Sequence, residues 1–151
     1  MIGLQGAGAK PLLIRVATWP SMVIGALFFL MAVATALGCG DTSRLTASPF
    51  GEWGVSLWIA QAAVLGGFLF AIGYGFKRDE TWTRVVVIVY WIAAIAFSAA
   101  NAIASGIPRG TYFIGLTSFL GLGIAWWFFF SKPNVVAYYR SLAGVKDAAR
   151  A

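Results

Sequence analysis

Four stretches of about 20 residues without a single Asp, Glu, Lys or Arg dominate this chain and decide its class. They run from about Trp19 to Gly38, Gly54 to Phe76, Val85 to Ser105 and Thr111 to Ser131. At about 1.5 Å of rise per residue, a helix of that length crosses about 30 Å of hydrocarbon. A membrane β-strand needs only about 10 residues, but in strict alternation, and a run such as GIAWWFFF does not alternate. Composition agrees: 60% of the residues are hydrophobic and 11% charged, where soluble domains hold about 45–50% and about 25%. The 151 residues allow one domain. The sequence therefore predicts an all-α integral membrane protein, a four-transmembrane-helix bundle filling residues 1–151.

The basic residues give its direction. Lys10, Arg15, Lys77, Arg78, Arg84, Lys132, Arg140, Lys146 and Arg150 flank one side of the four spans, and only Arg44 and Arg109 flank the other. Cytoplasmic flanks carry the excess of Lys and Arg, so both termini and the 77–84 loop are expected in the cytoplasm. Interfacial aromatics fit this: Trp19, Tyr74, Trp82, Trp126 and Trp127 on the inner side, Trp53, Trp58 and Tyr112 on the outer. The net charge of +6 is thus a topological signal, and no nucleic-acid partner is expected. Short loops and economy of length suggest a multi-pass protein of the bacterial cytoplasmic (inner) membrane.

Three local features bear on the span ends. Pro20 disfavours a helix begun before it, which predicts a short interfacial approach over 11–19 and then a turn into the first span. ALGCGDTS at 36–43 raises the question of lipid attachment at Cys39. Ala36 stands where a lipoprotein signal wants leucine, and the apolar run exceeds the 7–15 residues or so of a signal core. Gly38, Cys39 and Gly40 are therefore expected to end the helix, with Asp41, Thr42 and Ser43 opening the outer loop. Pro133 can start a new helix after the fourth span, with Val136, Tyr139 and Leu142 on one face, lying on the inner leaflet beside Lys132 and Arg140. A continued fourth helix is the alternative for 133–142.

No ionisable residue lies inside a span, whereas proton-coupled transporters need one near the midplane. One cysteine and no histidine leave little for metal, haem or disulfide chemistry. Met22 and Met31 read as core or lipid contacts. No catalytic residue, cofactor or metal is expected, and the chain is not expected to be an enzyme. Asp41 and Glu52, near Arg44 and Arg109 outside, are too loosely spaced to suggest acid–base work on lipid headgroups. Asp79 and Glu80, among Lys77, Arg78 and Arg84, read as a solvated inner loop.

Small residues recur every four positions: Ala63, Gly67, Ala71 and Gly75 in the second span; Ala94, Ser98, Ala102 and Gly106 in the third; Thr117, Gly121 and Ala125 in the fourth. Such stripes let helix backbones approach, within one chain or between chains. A polar layer lies in the outward half: Gln61, Ser98, Asn101, Ser105, Thr117 and Ser118. Its members serve either as interhelical hydrogen bonds or as the lining of a vestibule. The expectation is a non-catalytic membrane component in the lipid bilayer, either an accessory subunit of a larger membrane-protein partner or a self-associating bundle. The alternative is a channel or facilitator for a small neutral solute.

Overall fold

Inside hydrocarbon a backbone must satisfy its own hydrogen bonds, and every regular element of the described residues is accordingly a helix. The computed structural model describes residues 10–39, 52–105 and 109–148, with side chains at all but 52–53, 104–105, 109–114 and 146–147. In order these are α1 (Leu12–Ala36), α2 (Glu52–Lys77), α3 (Thr83–Ser105) and α4 (Arg109–Trp126). A π-helical turn (Trp127–Ser131) and α5 (Pro133–Ala148) follow. Three stretches, Leu12–Ala36, Gly54–Lys77 and Thr83–Ile103, are long and apolar enough to cross a membrane, with mean hydropathies of 2.0, 2.0 and 2.1. A fourth apolar stretch, Gly115–Ser131, is shorter. These helices support a multi-pass membrane protein.

The first helix departs from expectation. No turn interrupts residues 12–19; α1 runs unbroken through Pro20. An interior proline removes one hydrogen bond and costs about 3 kcal/mol or more, yet the residues before it are fixed by packing. Ile14 and Thr18 are buried, and the Thr18 hydroxyl donates to the Ile14 carbonyl at 2.7 Å. Lys10, just ahead of the helix, reaches the Phe76 carbonyl and pairs with Asp79 at 2.7 Å. At its far end α1 closes as the glycine predicts. Gly38 has φ +76°, the Cys39 N–H donates to the Ala34 carbonyl at 2.8 Å, and the Gly38 N–H donates to Thr35 at 3.0 Å. That is a Schellman cap, and the exposed Cys39 takes part in it through its backbone.

Helices pack in chain order: α1 on α2, α2 on α3, α3 on α4. Among the described residues α1 and α4 make no extensive contact with each other. The four therefore form an open row, with a cleft between its two end helices. At the basic end all five helices join in one core: Ile14, Ile72, Phe76, Val87, Ala125, Phe129, Val135, Tyr138 and Tyr139. Lys132 is extended (φ −74°, ψ 115°), so α5 is a new helix opened by Pro133 and not a prolongation of α4. Its buried positions are Val135, Tyr138 and Tyr139, with Leu142 packed beside them. Of the face expected from Val136, Tyr139 and Leu142, the last two are in or against this core and Val136 is half-buried, while Val135 and Tyr138 join it, the Tyr138 hydroxyl bonding to Asp79.

Candidate functional site

The closest helix contact lies between α1 and α2 and is made by glycines. A Cβ on Gly25 would meet the backbone N of Phe70 and, at 2.7 Å, the Gly66 carbonyl. One on Gly66 would stand 2.9 Å from the Gly25 carbonyl, and one on Gly73 2.8 Å from both the Thr18 carbonyl and the Met22 nitrogen. Backbone touches backbone here, which gains dispersion contacts that lipid tails do not supply. The small-residue stripe read from the second span is one residue out of register with this contact. Gly67 is exposed and has nothing near its Cβ direction; Ala63 and Ala71 are half-buried. Gly75 packs on Trp82 of the following turn and on Thr83, the first residue of α3.

Ala94, Ser98, Ser118 and Ala125 are buried, and Ala102 is half-buried. Gly121 makes room for the Trp91 ring, whose Cε3 would stand 2.7 Å from a Cβ there. In the polar layer, Asn101 Nδ2 donates to Gln61 Oε1 at 2.7 Å, joining α3 to α2. Ser98 donates to the Ala94 carbonyl of its own helix at 2.8 Å. Thr117 lies apart from that pair, along the cleft. Gln61 also borders a small cavity of about 160 Å³ with Phe28, Trp58 and Tyr90. The charges Asp41, Arg44, Glu52 and Arg109, the aromatics Trp53 and Tyr112, and Thr42, Ser43, Ser105, Gly106, Lys146 and Arg150 lie outside the described side chains.

The cleft is a cavity of about 610 Å³, walled by α1 and α4 with α2 and α3 behind. Leu13, Ile14, Ile72, Phe76, Val87, Trp91, Leu120, Ile124 and Phe129 make it apolar, and Ser21 and Thr117 lie at its deep end. Sequence reasoning missed it, because two edge helices without extensive contact leave no mark in either helix taken alone.

Beyond the cleft, the basic end is an ordered cluster, with Lys77 and Arg78 exposed as the solvated-loop reading expects. Asp79 has φ +53°; the Glu80 N–H donates to the Gly75 carbonyl at 2.9 Å, closing α2. That backbone points the Asp79 carboxylate at Lys10 (2.7 Å) and at the Tyr138 hydroxyl, which donates at 2.5 Å. One carboxylate thus ties together the start of α1, the α2–α3 turn and α5. Burial, and then the Asp79 carboxylate beside it, push the Tyr138 phenol well above its ordinary range. Burial also raises Tyr139, against the lowering influence of Arg84. Cations lie over aromatic rings around this end: Lys77 on Trp19 at 5.1 Å, Arg78 on Tyr74 at 5.2 Å, Arg84 on Phe130 at 5.6 Å and Lys132 on Phe128 at 5.3 Å.

The described residues hold no cluster of three or more His, Cys, Asp or Glu that could bind a metal ion. No protein-family model, no curated protein and no solved structure matches the chain.

Proposed function

We propose that this protein is a non-catalytic, four-span component of a bacterial cytoplasmic membrane, with both termini inside. It acts as an accessory subunit of a larger membrane protein or associates with itself. The observation that carries this reading is the Gln61–Asn101 hydrogen bond. These are the only side-chain amides within the four apolar stretches, and they are spent on each other in holding α2 to α3. A vestibule would need such groups turned toward a solute. The outward Ala63–Gly67–Ala71 stripe supplies a docking face: α2 already engages α1 through Gly66 and Gly73, so the open Gly67 is left for a helix from outside the chain.

Purification in mild detergent tests it. A stoichiometric membrane partner or a defined oligomer is expected, and Gly67→Leu should abolish it while the monomer stays folded. A lone monomer that passes a small neutral solute in liposomes would overturn the reading in favour of a facilitator entered beside Gln61.

A further inference from the structure

We propose that the cleft between α1 and α4 is a binding site for one anionic glycerophospholipid, its acyl chain in the cleft and its headgroup at the basic rim. The proposal rests only on the membrane-spanning reading and is independent of the accessory role. Three observations favour this occupant. On α4 and the π-helical turn after it the lining runs from Thr117 to Phe129, and on α1 from Leu13 to Ser21, which is about 12–18 Å of helix. One leaflet of hydrocarbon is about 15 Å deep. The lining is mostly apolar over that depth, with Ser21 and Thr117 at the midplane end and the polar tips of Tyr90 and Trp91 besides, so it suits a chain rather than a polar solute.

Charge supplies the third observation. The Phe76 and Phe129 end of the cleft is also the end where the described side chains include seven cationic groups and two carboxylates. Of those carboxylates, Asp79 is already bound by Lys10 and Tyr138. Lys132 is a cation set against the cleft wall: its Nζ sits 5.3 Å over Phe128, and Phe128 is itself part of that wall. An anionic headgroup there would lie beside Lys132 while its chain runs along Phe128 and Ile124. A zwitterionic lipid could fill the same cleft but would gain nothing net from that surplus of positive charge.

The delipidated full-length protein, equilibrated with mixed micelles holding equal phosphatidylglycerol and phosphatidylcholine of identical chains, provides the test. Retained lipid is counted by native mass spectrometry. One phosphatidylglycerol per chain is expected, favoured about fivefold over phosphatidylcholine, the size of one basic contact. Lys132→Gln should remove the preference and keep the chain binding. Ala17→Phe, which fills the cleft from α1, should release both lipids; Ile124→Trp at the exposed lip does the same job should Ala17→Phe misfold. Equal retention of the two lipids by the wild-type protein, or retention unchanged in both filled variants, would overturn the proposal. Loss of the membrane reading itself would show separately, as extraction of the protein from membranes by alkaline carbonate.

Discussion

At Gly25 any side chain would be forced into the backbone of α2, since Gly66 and Phe70 already stand at contact distance. Gly25→Leu should therefore destabilise the protein by about 1–3 kcal/mol, the usual range for overpacking, while Gly67→Leu leaves the monomer's thermal unfolding in detergent unchanged. Equal damage at both positions would place α1 elsewhere on α2. Adjacent glycines at 66 and 67 explain why the sequence could not settle this: four-residue spacing selects 67, and contact selects 66. The seven-residue interval of Thr18, Gly25 and Ala32, all buried, was the available signal, and a search for four-residue spacing passes over it. The polar pair was more legible, because two amides at similar depth on neighbouring apolar helices have few other partners. Removing either, by Gln61→Leu or Asn101→Leu, should cost about 0.6 kcal/mol, and the double variant scarcely more than one alone. Additive losses in that cycle would mean that each amide bonds elsewhere.

Whole elements respond to forces that local propensity does not contain. Pro20 alone argues for a break, and α1 continues because Ile14, Thr18 and Lys10 are held on the far side of it. Helix α5 was legible as a helix from Pro133, but its resting place was not, since that depends on Asp79, 59 residues away from Tyr138. Tyr138→Phe should loosen α5 by about 1 kcal/mol, the net worth of a typical hydrogen bond. Faster tryptic cleavage at Arg140 would report it. Alkaline pH should act in the same direction. Tyr138 and Tyr139 have raised pKa values in the docked state, against an ordinary value of 10.0. Below about pH 10 both are neutral whether α5 is docked or free, so docking is fully retained. Above it the free helix ionises first, and docking weakens as the pH climbs further. A cleavage rate at Arg140 that is flat from neutral pH to beyond 10, compared with an unstructured substrate, would contradict this.

At the scale of the molecule, the described residues of the basic end are assembled as one unit. The basic end gathers a core from all five helices, an ion pair and the cation–aromatic contacts. Lys and Arg over Trp, Tyr and Phe are side chains suited to the headgroup zone, where an apolar stem and a charged tip are both accommodated. The sequence alone supplies the nine-to-two split of basic residues; the fold adds that most of the nine surround one compact cluster, which must lie on one side of the membrane as a unit. Moving that cluster across the bilayer would carry several charges with it, so a mixed topology is disfavoured. In a Cys39→Ser background, a cysteine at Asn134 or Arg140 should resist an impermeant thiol reagent on intact spheroplasts and react once the membrane is opened. A cysteine at Ser48, in the loop between the first two spans, should react at once. Labelling of Asn134 on intact cells would reverse the orientation, place the basic cluster outside, and leave the positive flanks without their cytoplasmic explanation.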